Sequence, residues 1–374
     1  MTNKVLFCAT IDLHFKAFHL PFMKWFQEQA WEVHVAANGD LKLPYVDKKY
    51  NIPFERSPFK LKNIKAYTEL KAIIANTNYR IIHCHTPIGG MLVRLASSKA
   101  RKNGTTVIYT AHGFHFCQDS PFINWLIYYP IERGLAHFTD CLITINQEDY
   151  TRAVKHRFKA GRIERVHGVG IDIEKFKPSK EETKQELRQK NGYQPDDFLM
   201  FYAAEFNKNK NQQLLIRVLA KLKKTVPHAR LILVGNGSMI DYCSELAKEL
   251  GVTDMVDFLG FRKDIDEILP MCDLAVASSF REGLPVNIME AMACGLPVIA
   301  SDNRGHRELV SNNESGWVIS PKDLDSMFKK IEMLAKTKGL KNKLGYMGRE
   351  KVESKYAINK ILTEMSAIYR NFMD

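Results

Sequence analysis

Two carboxylates eight positions apart, Glu282 and Glu290, flank a glycine–proline turn in the stretch REGLPVNIMEAMACGLPVIA at residues 281–300. Gly283, Leu284 and Pro285 lead into an apolar segment at 286–293, and Gly295 with Pro297 ends it. The pattern predicts loop, helix, turn and strand, with Pro285 at the first helical position, where its missing N–H costs nothing. A glycine-bearing loop that opens a helix presents unpaired N–H groups and the positive end of the helix dipole, which together seat a phosphate. Glu282, just before the helix, can grip hydroxyls beside such a phosphate. Glu290, a turn or more further in, can reach another part of the same ligand. Taken alone, two glutamates at this spacing also fit an ordinary αβ unit whose acidic residue favours the helix dipole.

Other residues offer complementary chemistry. FNKNKN at 206–211 follows a predicted strand and brings Asn207 and Lys210 to a strand-to-helix loop, where a fixed cation stabilises a departing diphosphate. VGNGS at 234–238 sets Gly235 and Gly237 in a tight turn after a strand, and FLGFR at 258–262 places Phe261 and Arg262 after another. His112 closes a predicted strand, and Asp12, His14, His19 and His85 lie in loops on the same expected rim. Asp264 and Asp266 spell a D-x-D, but they sit at a predicted helix start, where acidic residues cap and favour the dipole. They are not read as metal ligands.

The string E-G-L-P followed by N-I-M-E-A-M-A-C-G-L-P-V-I-A closely resembles the donor-site signature of family 4 glycosyltransferases of the GT-B fold. The resemblance implies an α/β chain of two Rossmann-like doubly wound domains facing across a cleft. It implies transfer of a sugar from a nucleotide-sugar, with retention at the anomeric carbon and without a metal or other cofactor. By the same resemblance Glu282 holds the sugar hydroxyls, Glu290 the ribose, and Lys210 with the helix N-terminus the diphosphate. His112, in TAHGFHF, approaches the sugar from the opposite domain, while Gly235, Gly237, Phe261 and Arg262 lie near the nucleotide. Ala204 and Glu205 stand where the family has Gly and Arg, which leaves Arg262, Arg304 and Arg307 as candidates for a second phosphate contact. The family often has a Gly-Gly loop after its first strand. The segment TIDLHFKAFH at that place resembles instead the subgroup acting in capsule and exopolysaccharide assembly. The expected donor is a UDP-hexose or UDP-N-acetylhexosamine. The expected acceptor is a polyprenyl-diphosphate-linked saccharide, with Asp12, His14, His19 and His85 as acceptor-side candidates. A GT-B sugar-nucleotide epimerase and a noncatalytic nucleotide-sugar-binding assembly protein are the alternatives.

The elements that position these residues alternate between strand and helix. Apolar runs at 5–10, 33–37, 80–83, 106–110 and 141–145 predict strands, with helices at 17–29, 64–75 and 147–155 between or after them. A glycine-rich and charged break at 168–190 separates a second series, with strands at 199–203, 230–234, 257–259, 274–277 and 297–300. This alternation predicts parallel doubly wound sheets with ligands at the carboxyl ends of the strands. The expected domains are 1–175 for the acceptor, 176–350 for the nucleotide-sugar, and a last helix at 351–374 returning to the first domain.

A chain of 374 residues with a 45% hydrophobic share suits two ordinary domains. Its seven scattered cysteines form no C-x-x-C, which argues for reduced thiols in a cytosol. No window reaches the length of a membrane span. The net charge of +12 is concentrated in residues 1–178, with 25 Lys and Arg against 15 Asp and Glu. That half is expected to face something anionic. No nucleic-acid-binding motif is present, and the aromatic stretch FHFCQDSPFINWLIYYP at 114–130 beside a basic run at 152–165 suits either an anionic membrane interface or a packed helix. The expected location is cytoplasmic, peripheral at the inner face of the cell membrane.

Overall fold

The computed structural model describes residues 3–57, 59–118 and 120–373. It divides into two compact units, one formed by Met1–Gly170 with Ile358–Asp374 and the other by Ile171–Ala357.

The first unit is built on seven strands: β1 Lys4–Ile11, β2 Glu32–Asn38, β3 Lys48–Asn51, β4 Ile81–His85, β5 Thr106–Ala111, β6 Cys141–Thr144 and β7 Arg162–Arg165. They pair in parallel in the order β3-β2-β1-β4-β5-β6-β7. β1 carries a continuous apolar run because helices cover both faces of the sheet, and Val5, Leu6, Phe7, Cys8 and Ala9 are wholly buried. The predicted helix at 17–29 is two helices, Leu13–Phe18 and Leu20–Glu28, which meet at His19. Pro21 cannot bond back into a preceding turn, so the chain restarts there with the proline in the first turn of the second helix. Glycines 89 and 90 lie inside the first turns of helix Pro87–Ala96, where a Cβ on Gly90 would stand 2.4 Å from the ring of Tyr109.

The second unit has six strands: β8 Phe198–Ala203, β9 Ala229–Val234, β10 Val256–Phe258, β11 Leu274–Ala277, β12 Val298–Ser301 and β13 Gly316–Ile319. Their parallel order is β10-β9-β8-β11-β12-β13. The last helix runs Ile358–Arg370. Residues 351–355 finish helix Leu340–Lys355 of the second unit, and a bridge between Ile171 and Ala357 closes that unit. Helix Ile358–Arg370 belongs to the first, where Tyr369 packs on Trp25 and Phe26 and its hydroxyl bonds His83 Nδ1 at 2.8 Å.

Candidate active site

In the second unit, β8 and β11 are sheet neighbours from which the strand order runs out in opposite directions. Open parallel sheets bind ligands at the carboxyl ends of such a pair. The loops leaving these two strands carry Lys210 and Glu282, and the side chains meet, with Nζ 2.5 Å from Oε1. Several hydrogen bonds fix the loops before any ligand arrives. Asn207 Oδ1 accepts from the backbone N–H of Asn209 at 3.0 Å and of Lys210 at 3.1 Å. Asn209 Nδ2 donates to the carbonyl of Arg281 at 3.0 Å, and Ser278 Oγ donates to the carbonyl of Lys210 at 2.7 Å. The cation and the carboxylate are thus held by backbone, and a preset charge costs no reorganisation when a reaction needs it.

Helix Val286–Ala293 follows Glu282 with the predicted bounds. Pro285 is its N-cap rather than its first residue, in extended backbone with φ −76° and ψ 117°. The correction is small, since a proline at either place removes no needed N–H. Pro285 offers no side-chain cap, but Asn287 Oδ1 accepts from the Ile288 N–H at 2.9 Å and Asn287 Nδ2 ties this end to the carbonyl of Ala203, the last residue of β8, at 2.8 Å. The other end closes as a Schellman turn: Gly295 in the left-handed region donates to Met292, and Leu296 to Ala291.

Gly235 and Gly237 have a strict steric reason to be glycine. Both have positive φ, and a Cβ would come within 2.1 Å of the Ala204 carbonyl oxygen at Gly235 and 2.3 Å of the Phe206 oxygen at Gly237. The turn therefore lies flat against the 204–206 segment that leads to Lys210. The Gly235 N–H also donates to the Gly260 carbonyl at 2.8 Å, which draws in the loop carrying Phe261, itself 66% exposed.

Of the three arginines considered for the second phosphate contact, Arg262 pairs with Asp264 and Arg307 with Asp302. Asp264 stands at the N-cap of helix Ile265–Ile268, but its carboxylate turns to Arg262 and makes no cap. Arg304 is the one attached to the site, its Nε donating to the carbonyl of Glu282 at 2.9 Å. Sequence reasoning passed over the next residue, Gly305. Its missing Cβ lets helix Arg304–Leu309 abut the loop, where a methyl would stand 2.8 Å from Glu282 Cβ and 2.9 Å from Pro285 Cδ. Asn303 caps that helix by accepting from the His306 N–H at 3.0 Å. The signal was the polar N-R-G-H string directly after a strand.

Glu290 is partly buried on the inner side of its helix, and no ion pair or hydrogen bond to its carboxylate is present among the described residues. Burial pushes its carboxyl up to about 7, with Lys175 pulling it down and Asp266 adding to the rise. A carboxyl raised in the folded state opposes folding once pH passes its unfolded value near 4.5, and the opposition grows until about pH 7. Glu290→Gln should therefore stabilise the ligand-free protein by about 3 kcal/mol above pH 7 and not at all below pH 4. Urea melts of both proteins across this range read the difference directly.

In the first unit, the candidates separate. Asp12 is buried and committed to structure, with Oδ2 accepting from Lys49 Nζ at 2.6 Å and from the Leu41 N–H at 2.8 Å. His14, His19, His85 and His112 come together at the carboxyl ends of β1, β4 and β5. His14 Nε2 lies 3.0 Å from His19 Nε2, and His85 Nδ1 lies 3.2 Å from His112 Nε2. Beside them a mostly apolar cavity of about 540 Å³ is lined by residues including Thr10, Leu13, His14, Arg56, His115 and Tyr128.

Residues 183–351 match the family model of glycosyl transferases group 1, and residues 4–146 match that of glycosyl transferase 4-like domains. Over all 374 residues, 98% of the relative's length, the chain is 50% identical to EpsD of Bacillus subtilis (strain 168), a protein assigned as a glycosyltransferase. The chain belongs to the group 1 glycosyltransferases. The glycosyltransferase is also 28% identical, over 83% of its own length and 80% of the relative's, to an Escherichia coli enzyme named UDP-Gal:alpha-D-GlcNAc-diphosphoundecaprenol alpha-1,3-galactosyltransferase. Among solved structures it superposes on Anabaena HepE, crystallised with UDP and glucose, with a TM-score of 0.80 at 21% identity, covering 99% and 100% of the two chains. WaaG, a glycosyltransferase of lipopolysaccharide biosynthesis, gives 0.76 at 18% over 97% and 99%. These likenesses bear on fold, and the fold of the glycosyltransferase is GT-B, with two parallel-sheet Rossmann-like domains.

Proposed function

We propose that this glycosyltransferase moves a hexosyl or N-acetylhexosaminyl group from a UDP-sugar to a polyprenyl-diphosphate-linked saccharide, in capsule or exopolysaccharide synthesis. The observation that carries the reading is the Lys210–Glu282 pair, set at 2.5 Å beside a helix N-terminus whose N-cap, Pro285, makes no side-chain cap, where the strand order of the sheet reverses. In the proposed reaction the diphosphate takes over Lys210 and the free N–H groups of Val286 and Asn287. Glu282 turns to the sugar hydroxyls and Glu290 accepts from the ribose. The bond from the anomeric carbon to the diphosphate breaks, and the acceptor oxygen bonds that carbon on the same face. The acceptor proton passes to the departing phosphate, so no separate base is required, and no metal enters the donor chemistry. His112 is kept as a sugar contact on resemblance alone. The E. coli relative, whose name states a UDP-sugar donor and a diphosphoundecaprenol-linked acceptor, supports this substrate class.

The test is a panel of nucleotide-sugars given to the purified enzyme with and without a lipid-linked saccharide extract. UDP release that needs both one donor and the extract supports the proposal. A converted sugar-nucleotide formed without acceptor favours the epimerase, and donor binding without turnover favours an assembly role.

Peripheral membrane contact is part of the same proposal. No helix among the described residues is long and apolar enough to cross a membrane. Helix Phe122–Leu135 nevertheless leaves Phe122, Ile123, Leu126, Ile127 and Ile131 in solvent, the first at 79% exposure. An amphipathic face of this kind lies along a lipid interface, assisted by the basic excess of the same half of the chain. Leu126→Glu with Ile127→Glu should cut co-sedimentation with phosphatidylglycerol vesicles by about 10-fold or more, at roughly 1 kcal/mol or more per buried side chain, and leave circular dichroism unchanged.

A further inference from the structure

We propose that His14, His19, His85 and His112 bind one divalent transition-metal ion of the zinc class. Their candidate ligand atoms, one from each ring, all lie within 4.8 Å of one another. A tetrahedral ion with metal–nitrogen bonds of about 2.0–2.1 Å separates its ligands by about 3.3 Å. The contacts of 3.0 Å between His14 and His19, and of 3.2 Å between His85 and His112, already stand near that edge length. Closing the wider pairs needs side-chain movements of about 1 Å, which the rings can make by rotating about their side-chain bonds.

The nitrogens that face one another in these two contacts, His14 Nε2 with His19 Nε2 and His85 Nδ1 with His112 Nε2, are the ones that would turn to the ion. His83, its ring centred 4.1 Å from that of His85 and tilted by 44°, is the internal contrast, because Tyr369 and Thr110 engage both of its ring nitrogens at 2.8 Å and leave nothing to offer a metal.

The donor set selects the ion. Four imidazoles without a carboxylate suit zinc, copper, nickel or iron and not the hard cations magnesium and calcium, which take oxygen. Partial exposure of His14 and His112 gives the ion a way in, while Phe7 and Phe15 keep the inner side dry. The cluster also sits where β1 and β4 are neighbours and the strand order of the first sheet reverses. Coordination would clip the two helices after β1 to the ends of β4 and β5.

The full chain, made without an oligohistidine tag, is loaded with Zn²⁺, dialysed, and its metal content measured by mass spectrometry. About one zinc per chain is expected. The Co²⁺-substituted protein should show the strong visible absorption of a tetrahedral site. His14→Gln and His112→Gln together should weaken Zn²⁺ affinity by more than about 10-fold in competition with a chromophoric chelator. The partly exposed His14 changed alone should fold and still weaken binding. Substoichiometric zinc in natively folded protein overturns the proposal, as do weak octahedral cobalt bands or unchanged affinity in the double variant. None of these readouts uses a sugar donor, so their failure is separate from failure of the transferase reading.

Discussion

Glu282→Ala is expected to lower kcat/KM by about 10²–10³-fold, the loss seen when one preset electrostatic contact is removed from a transition state. The folding cost should be small. Lys210 loses its partner but keeps solvent access, and a partly exposed ion pair contributes only about 1 kcal/mol or less. Turnover and stability therefore part company at this position. Because Glu282 and Lys210 would hold adjoining parts of one donor in a single transition state, the double variant with Lys210→Ala should lose little more than the worse single variant. Steady-state kinetics of the two single variants and the double variant measure this. Additive losses would mean that the two residues act on separate events. Activity within about 3-fold of the parent in Glu282→Ala would reduce the pair to a loop clasp, since 3-fold is under 1 kcal/mol.

The second large effect lies at the opposite end of β11. Asp273 is 4% exposed and receives Arg188 Nη2 at 2.6 Å, Lys341 Nζ at 2.7 Å, Lys184 Nζ at 2.9 Å and the Leu199 N–H at 2.9 Å. Asp273→Ala strands the buried Arg188 guanidinium, and a broken buried pair costs about 3–5 kcal/mol. For a unit of this size that lowers Tm by about 10 °C. Burial alone would raise this carboxyl, but Lys184, Lys341 and Arg188 outweigh it and hold it down to about 2. A depressed carboxylate contributes stability above its unfolded value near 3.8 and loses it as pH falls through 2. The gap between parent and variant should thus be full at pH 6 and shrink by about 2 kcal/mol towards pH 2 in urea melts.

The stretch around Glu282 was the most legible part of the chain because its turn and helix signals lie in one continuous string. The bounds of helix Val286–Ala293 followed from Pro285 and Gly295, which act locally. The central strands were legible for a similar reason, since burial on both faces forces apolar runs such as VLFCA in β1. Three edge strands were not. β3 reads KKYN and β7 reads RIER, polar sequences that suit an edge exposed to water and carry no periodicity to distinguish them from loops. β13, GWVI, is too short to stand out. Arg304 was one of three candidates until its contact with the Glu282 carbonyl was seen, because neither sequence distance nor charge distinguishes it from Arg262. The four histidines were legible as neighbours on one rim, but their approach to within 4.8 Å of one another was not. Positions 14, 19, 85 and 112 meet only through the pairing of β1, β4 and β5, a long-range fact no local pattern encodes.

The helix Ile358–Arg370 bears on how the chain is made. Tyr369 reaches a histidine 286 positions earlier and covers Trp25 and Phe26, so the first unit is finished by residues that leave the ribosome after the whole of the second unit. A nascent chain that has emerged only as far as Gly170 has all seven strands of its sheet but leaves those aromatic rings uncovered. The second unit, one unbroken segment, meets no such delay. Translation therefore completes the later unit before the earlier one, and a stalled or truncated product carries a sticky aromatic face that chaperones can recognise.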